Sequence, residues 1–318
     1  MEQLVADGAT CLRVNGLELS RFMLGTAQLG MSGYGINNNG GQVNAESLLG
    51  RCEQWGVNCY DTAYEYGDAE LKLGKYFQGK KIPFIASKLK IDMDLTSERE
   101  IERQIFARTE AILTRLQLEA IPALLVHNPD MVEKYGHTIS TVMRKLRTEG
   151  LIERGGISYG ADPVRQYDAV SGLASDDIYE VVQIPLNLFD RRLVQCGAMQ
   201  SFGAGGKIVV VRSVFLQGLF FMREDALPEK LRVDAGRLLG QLRTLAAAED
   251  LSVAQLAVSY IRDMAGVHCL IIGAESEQQI DDNVRLINGP SLLAETRARI
   301  ERLFSDVPSD VITPSVWR

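Results

Sequence analysis

Short apolar runs alternate with longer amphipathic segments along most of the 318-residue chain. The runs have the length of buried strands, whereas the segments between them repeat apolar residues at helical spacing. The runs predict strands at Phe22–Leu24, Val57–Tyr60, Pro83–Ala86, Ala123–Val126, Ile152–Ile157, Glu180–Ile184, Ile208–Val211 and Val267–Ile271. The segments predict helices at Val43–Trp55, Ala69–Phe77, Glu98–Leu116, Thr138–Thr148, Pro163–Gly172, Leu193–Phe202, Glu229–Met264 (two helices) and Glu277–Leu286.

A hairpin precedes this alternation, because Asn15-Gly16 lies between two short alternating runs within Leu12–Ser20. Apolar strands separated by helices indicate a parallel sheet that is covered on both faces. Eight such strand–helix units after a hairpin predict a (β/α)8 TIM barrel, with residues 1–318 as one domain. A doubly wound open sheet is the alternative, although no GxGxxG follows the first strand. The last residues, from Ser305 onwards, carry two prolines without helical spacing and predict an irregular tail.

Composition and charge exclude several classes of protein. A hydrophobic content of 46% with a net charge of −7 is not that of a disordered chain. Five scattered cysteines and three histidines, without CxxC or HxxxH spacing, argue against a disulfide framework and against a metal site. The acidic balance argues against binding nucleic acid. No apolar stretch suits a membrane span and no secretory signal is visible, so we expect a cytoplasmic protein with no membrane partner.

Polar residues occur where the predicted strands end, which in a barrel is the face that carries the chemistry. These residues are Asp61, Lys88, His127, Ser158 and Arg212, and the sixth strand runs through Gln183 towards Asn187. Each of them alone is more often structural, as a helix cap or a solvated charge, but Asp61, Lys88 and His127 are chemically complementary. An ammonium beside the nearby Tyr66 stabilises its phenolate and makes that tyrosine a usable acid. Such a set suits protonation of a carbonyl oxygen while a nicotinamide cofactor supplies hydride.

Other chemistry remains open at this point. Lys88 beside a carboxylate is also suited to forming a Schiff base, which predicts a lyase. Tyr64 is a competing phenol, whose alternative role is that of a loop residue or a wall of the substrate pocket. The Gly- and Asn-rich loop from Gly30 to Gly41 follows the first strand and is either a surface loop or another wall of the pocket, with Tyr34 pointing inward.

From the hairpin to Asn283, the chain resembles the aldo-keto reductase family. The matching pieces are Leu24-Gly-Thr-Ala27, Asp61-Thr-Ala-x-x-Tyr66-Gly67, Ile85-Ala-Ser-Lys88, Leu125-Val-His127-Asn-Pro-Asp130, Gly156-Ile-Ser158, Gln183-x-x-x-Asn187 and Gly273 to Asn283. The resemblance implies a monomer or small homo-oligomer that reduces a small-molecule carbonyl or sugar with NADP or NAD. It implies that Tyr66 is the acid, that Lys88 and Asp61 tune it, and that His127 orients the carbonyl.

The resemblance also implies which residues contact the cofactor and the substrate. The cofactor residues would be Gly25, Thr26, Asp61, Ser158, Gln183, Arg212, Ser213, Gly218, Gly273, Ser276, Gln279 and Asn283. Trp317 would close the substrate pocket, because tails of the family often do so, and a disordered tail is the alternative. A weaker similarity to members that act in bacterial sugar and surface-polysaccharide metabolism suggests a sugar substrate.

Three positions depart from the family pattern. Tyr159 replaces the asparagine that usually follows the strand-five serine, and Arg212 replaces the aromatic residue that stacks on nicotinamide. Gly273 and Gln279 stand where basic residues usually bind a 2′-phosphate, and Glu275 and Glu277 add negative charge nearby. Ser276, at the start of its helix, remains able to accept a phosphate. The choice between NADPH and NADH is therefore open, as is a cofactor-binding sensor with little turnover.

Overall fold

Eight parallel strands close into a barrel in the computed structural model, which describes residues 8–31 and 43–317. The barrel strands, β3 to β10, are Phe22–Gly25, Cys59–Asp61, Phe84–Leu89, Ala123–Val126, Gly155–Ser158, Tyr179–Pro185, Ile208–Arg212 and Cys269–Gly273. The last strand closes the barrel by pairing with the first, with Leu270 opposite Phe22. The predicted TIM barrel is confirmed, and all strands run in one direction, so their carboxyl ends meet at a single mouth.

The predicted hairpin is confirmed as β1 (Cys11–Val14) and β2 (Leu17–Ser20). Its turn residues Asn15 and Gly16 both have positive φ, 48° and 77°, as a two-residue hairpin turn requires. The side chain of Leu19 and its hairpin neighbours pack against the apolar cluster that fills the barrel. The hairpin thus covers the amino-terminal mouth and leaves the carboxyl-terminal mouth for chemistry.

Helices surround the barrel. They are α1 to α13: Ala27–Gly30, Ala45–Gln54, Ala69–Phe77, Glu98–Leu116, Pro129–Thr148, Pro163–Ala174, Arg192–Gln195, Ala198–Ala204, Arg232–Ala248, Val253–Arg262, Glu277–Ile287, Ala294–Leu303 and Ser309–Ile312. Short 3-10 turns occur at Leu216–Phe221, Glu224–Ala226, Glu229–Leu231 and Pro314–Val316. Within the described residues, no helix is long and apolar enough to cross a membrane.

Several element bounds differ from the sequence prediction. The fifth barrel strand begins at Gly155, because Ile152 makes only an isolated bridge to Ile121. The helix expected from Thr138 begins at Pro129, whose fixed φ suits the first helical position. A kink at Tyr135 separates this first turn from the rest of the helix.

Positive-φ residues divide two of the predicted helical segments, of which Glu229–Met264 was predicted as two helices. Gly197, with φ 84°, separates α7 from α8, and Asp250, with φ 53°, lies between α9 and α10. The prediction of an irregular tail is wrong in part, because α13 and the turn Pro314–Val316 give the tail local helical structure. The helix α12 had no counterpart in the prediction.

Candidate active site

A buried ion pair lies at the carboxyl-terminal mouth of the barrel. β4 ends at Asp61, and the neighbouring β5 places Lys88 beside it, with 2.5 Å between Lys88 Nζ and Asp61 Oδ1. The ammonium also donates to the Thr62 carbonyl at 2.7 Å. Lys88 is 0% exposed and Asp61 4%. Burial lowers the pKa of Lys88, and the carboxylate of Asp61 opposes that shift.

Hydrogen bonds from three other strands hold the ion pair in place. Gln183 of β8 donates to Asp61 Oδ1 at 2.6 Å, and Ser158 of β7 donates to Gln183 Oε1 at 2.9 Å. Thr26, just after β3, donates its hydroxyl to the Asp61 carbonyl at 2.9 Å. The chain of contacts fixes the position of the carboxylate before any ligand is bound.

Tyr66 lies over this pair, in the turn that follows β4. The Lys88 ammonium is 5.1 Å from the centre of the Tyr66 ring. The ring of His127, which follows β6, meets the Tyr66 ring edge-on at 6.3 Å between centroids and 78° between planes. The structure therefore brings together the four residues expected from sequence, Asp61, Tyr66, Lys88 and His127.

Tyr64, the other tyrosine of the motif, points away from the ion pair. The Tyr64 ring lies between two guanidinium groups of α4, 4.3 Å from Arg115 and 5.4 Å from Arg108. Arg115 also donates to the Tyr64 carbonyl at 3.0 Å. Tyr64 is not among the described residues that line the cavity beside Tyr66.

His127 contacts a carboxylate to which the sequence analysis had given no role. His127 Nδ1 lies 3.3 Å from Glu65 Oε2, and Glu65 Oε1 accepts the Lys90 amide N–H at 3.1 Å. Burial lowers the pKa of His127, and the hydrogen bond to Glu65 opposes that shift. Burial raises the pKa of Glu65, but its hydrogen bonds with His127 and Lys90 outweigh this and hold it below the usual range. We therefore expect an ionised Glu65 beside a mostly neutral His127 at pH 7.

A groove of about 420 Å³ leads away from Asp61 and Tyr66. The residues that line it are Gly25, Ala27, Gln28, Asp61, Tyr66, Arg212, Ser213, Val214, Phe215, Gln217, Gly218, Phe221, Ala254, Ile271, Ile272, Gly273, Ala274, Glu275, Gln279, Asp282, Asn283 and Leu286. Its floor is the paired ends of β3 and β10, where Gly25 lies opposite Gly273. A Cβ at Gly273 would come within 2.3 Å of the Gln28 side-chain amide, so the glycine leaves room for that amide.

Strained backbone forms one wall of the groove. After β9, positive φ occurs at Ser213 (64°), Leu216 (48°), Gln217 (52°) and Gly218 (93°). Such conformations are costly for residues other than glycine and tend to occur at ligand sites. Arg212 begins this wall, and its guanidinium donates to the Tyr159 carbonyl at 2.8 Å and to Ser213 Oγ at 3.0 Å.

The side chain of Tyr159 turns away from the mouth. Its ring lies 6.4 Å from Tyr167 of α6 and 6.0 Å from Phe202 of α8. Adjacent strand residues face opposite sides of a sheet, so Ser158 faces the ion pair while Tyr159 faces the helices. The tyrosine therefore does not replace the amide contact expected of an asparagine at this position.

The far end of the groove is formed by the start of α11. Ser276 caps this helix by accepting the Gln279 N–H at 3.3 Å, and Gln279 Oε1 accepts the Glu275 N–H at 2.7 Å. Asn283 donates to the Gly273 carbonyl at 3.4 Å. Arg212, at the opposite end, is the one lysine or arginine among the described lining residues.

Comparison with known proteins identifies the fold and the family. The family model described as "Aldo/keto reductase family" matches residues 21–304. The chain belongs to the aldo/keto reductase family. It is therefore an NAD(P)-dependent oxidoreductase, and the family acts on small carbonyl compounds.

Individual members of the family are only distantly similar. An uncharacterized oxidoreductase of Mycobacterium tuberculosis is 28% identical over 290 residues, which is 86% of either chain. The NADH-specific methylglyoxal reductase of Escherichia coli is 23% identical over 312 residues, or 87% of this chain and 92% of that one. The holo form of an aldo-keto reductase of Bacillus halodurans superposes with a TM-score of 0.73 at 21% identity, covering 96% and 99% of the two chains.

The polar groups that line the groove of this aldo/keto reductase suit the binding of a nicotinamide dinucleotide. It offers hydroxyl and amide side chains at Ser213, Gln279 and Asn283, a flat guanidinium at Arg212, and a floor without side chains at Gly25. A Cβ at position 25 would come within 2.9 Å of Ile271, so that floor requires a glycine. When bound, the nicotinamide ring supplies a hydride.

Other expected site residues lie outside the lining of the groove. Ser158, Gln183 and Thr26 are buried beneath it and reach Asp61 through hydrogen bonds. Trp317 is 6% exposed and donates to the Asp310 carbonyl at 2.8 Å within the tail, and it is not among the described lining residues. Tyr34 lies outside the described residues.

Glu65 and Gln28 were not predicted from the sequence. Glu65 stands in the quoted motif as an unassigned position, and its charge beside Tyr66 was the available signal. Gln28 directly follows the matched Leu24–Ala27 piece. Only the structure shows that its side-chain amide lies against Gly273 and that Gln28 lines the groove.

Proposed function

We propose that this protein reduces an aldehyde or ketone to an alcohol with a nicotinamide cofactor, and that Tyr66 is the general acid. The observation that carries the proposal is the position of Tyr66, whose ring centre is 5.1 Å from the buried Lys88 ammonium and which lines the groove. Both phenols of the motif were candidates, and Tyr64 lies between the arginines of α4 instead.

In this proposal each residue has one role. Tyr66 gives its hydroxyl proton to the carbonyl oxygen as that oxygen gains negative charge. Lys88 stabilises the resulting phenolate, because an ammonium next to a phenolate favours the charged form. Asp61 keeps Lys88 charged in a buried setting, and His127 contacts the substrate oxygen. Ser158, Gln183 and Arg212 would hold the nicotinamide end of the cofactor.

A Schiff-base lyase is the weaker alternative. A nucleophilic lysine must be neutral and reachable, whereas Lys88 is 0% exposed and its ammonium donates to both Asp61 and Thr62. These contacts favour the charged amine against the effect of burial, and they direct it at Asp61 and Thr62.

We propose further that the cofactor is NADH rather than NADPH. The 2′-phosphate of NADPH carries close to two negative charges at neutral pH and needs cationic partners. The lining residues at the far end include Glu275 and Asp282, while Gly273 and Gln279 occupy the positions of the usual basic residues. A carboxylate can accept a hydrogen bond from a ribose 2′-hydroxyl but repels a 2′-phosphate. The distant Escherichia coli relative is named as NADH-specific.

Tyr66→Phe tests the catalytic proposal. We expect turnover to fall about 10²- to 10⁴-fold, the usual contribution of a general acid, while NADH still quenches the protein's fluorescence with unchanged affinity. Turnover is measured with small aldehydes including methylglyoxal, with ketones and with sugars, so that the same assay ranks the substrate classes.

Tyr76→Phe is the matched control, because the Tyr76 hydroxyl lies away from the groove and donates to Glu53 between α2 and α3 at 2.7 Å. Normal turnover of Tyr66→Phe would refute the assignment, and tight cofactor binding without turnover of any substrate by the unaltered protein would favour a sensor.

A further inference from the structure

We propose that Glu65 is a positioning residue that fixes a proton on His127 Nδ1 and so decides when His127 can donate to the substrate oxygen. The inference rests on the proposed function, because it assigns His127 to the substrate. It concerns a residue that the sequence motif leaves unspecified, between Tyr64 and Tyr66.

The geometry gives Glu65 two partners. Its Oε2 lies 3.3 Å from His127 Nδ1, and its Oε1 accepts the Lys90 amide N–H at 3.1 Å. The side chains are 27% and 21% exposed, so both groups are largely withdrawn from water. The backbone contact limits the rotation of the carboxylate and keeps its second oxygen directed at the imidazole.

An ionised carboxylate accepts hydrogen bonds and donates none, so His127 Nδ1 must carry the proton in this contact. In the neutral imidazole the other nitrogen, Nε2, then has a lone pair. That lone pair accepts a hydrogen bond from an alcohol, but it cannot donate one to a carbonyl oxygen. Donation to a carbonyl requires a second proton on His127.

The charges around His127 set the pH at which this second proton is bound. Glu65 favours the imidazolium, whereas burial and the ammonium groups of Lys88 and Lys90 oppose it, with burial the largest effect. Tyr66, the other titratable group that meets the ring, is uncharged while it serves as the acid. His127 is therefore an acceptor near neutral pH, which suits alcohol oxidation. It becomes a donor to carbonyl substrates only as the pH falls below its lowered pKa.

The other two histidines provide internal references for a direct test. His268 Nδ1 accepts the Val209 N–H at 3.0 Å, so its neutral form must carry the proton on Nε2, the opposite arrangement. His137 is exposed on α5. The chain has three histidines in all, so their imidazole signals can be resolved and assigned.

The first experiment is long-range 1H–15N NMR of the full chain labelled at its histidine nitrogens, without cofactor or substrate. We expect the Nδ1–H form for His127 and the Nε2–H form for His268 at pH 7.5. An Nε2–H form for His127 would overturn the proposal. This measurement needs no turnover, so its outcome is independent of whether carbonyl reduction is the correct function.

The second experiment compares Glu65→Gln with the unaltered protein. A glutamine can turn its amide to donate to Nδ1, which permits a neutral Nε2–H imidazole that donates to a carbonyl at any pH. In the unaltered protein we expect the KM for the carbonyl to rise about three- to tenfold as pH increases through the His127 transition, the size of one lost hydrogen bond, with kcat changing less. In Glu65→Gln this rise should disappear.

Glu102→Gln is the control, because Glu102 pairs with Lys145 on the surface at 2.9 Å. It should keep the pH dependence of the unaltered protein. Equal pH dependence of KM in Glu65→Gln and the unaltered protein would overturn the proposal. If Glu65→Gln does not fold, the NMR result for the unaltered protein still decides the question.

Discussion

The two ends of the groove differ in how deeply their charged groups are buried and in how those charges are paired. At the reaction end, Asp61 and Lys88 are almost completely buried; Lys88 comes from the strand next to Asp61, and Gln183 reaches Asp61 from the opposite side of the barrel. At the far end, Gln279 is exposed and Glu275 half-buried, at the start of a helix. Among the described residues, no cation pairs with the Glu275 carboxylate, whereas the Asp61 carboxylate is held by an ammonium and an amide.

This difference separates the chemistry from the choice of cofactor. A change at the reaction end disturbs a network that spans β4, β5, β7 and β8, and is therefore expected to affect both folding and turnover. A change at the far end alters charge near the cofactor and contacts at the start of α11, but it does not touch that network. The contacts indicate that the two ends are independent, and variants at either end can test this.

Lys88→Met is expected to have the largest effect. It leaves the Asp61 carboxylate buried with only the Gln183 amide as a side-chain donor, and an unpaired buried charge destabilises a protein by about 3 kcal/mol or more. Turnover should fall about a hundredfold or more, because the phenolate of Tyr66 loses its stabilising charge. Urea unfolding and steady-state kinetics measure the two effects.

A second variant separates stability from catalysis. Asp61→Asn combined with Lys88→Met removes both charges, so the double variant should regain most of the lost stability while remaining inactive. Lys145→Met, at a surface ion pair with Glu102, should change neither property. Recovery of turnover in the double variant would contradict the role given to Lys88.

The barrel and three of the reaction-end residues, Asp61, Lys88 and His127, were predictable from sequence for a physical reason. A buried strand must be apolar along its length, so a charged residue at its end, such as Lys88 after Phe84–Ala86, is conspicuous. The closed barrel then dictates that consecutive strand ends are neighbours, which brings Asp61, Lys88 and His127 together. No detail of side-chain geometry is needed for that step.

Side-chain directions within turns were not predictable in this way. Tyr64 and Tyr66 differ by two positions in one turn, and only the guanidinium groups of α4 show which phenol is drawn away. Glu65 illustrates the same limit, since its contact with His127 joins two turns that are distant in sequence. The tail helix around Ser309–Ile312 was also missed, because one turn of helix is too short to show a period.

Gln279→Arg is expected to have an intermediate effect, confined to the far end. The added guanidinium can pair with a 2′-phosphate, so we expect NADPH affinity to rise about tenfold, the worth of one charge-assisted hydrogen bond. NADH affinity should stay within about twofold, and so should kcat with NADH, because no contact of Asp61 or Tyr66 changes. Fluorescence titration with each nucleotide measures the ratio.

Gln200→Arg controls for the change in net charge. Gln200 is exposed on α8 and is not among the described groove-lining residues. It should leave the ratio of NADPH to NADH affinity nearly unchanged. An equal rise in both variants would mean that long-range charge, and not contact in the groove, controls the choice of cofactor.

Ser276→Ala is expected to have the smallest effect and tests whether the start of α11 itself contributes to binding. Loss of a serine or asparagine cap destabilises a helix by about 1 kcal/mol, and Asn44→Ala, which removes the cap of α2 at 3.1 Å from the Ser47 N–H, should cost a similar amount. Only Ser276→Ala should also weaken cofactor binding, by about two- to threefold, because the helix start lies at the groove. If both variants weaken binding equally, the loss reflects overall stability. Cofactor binding at the far end would then not be independent of the rest of the fold.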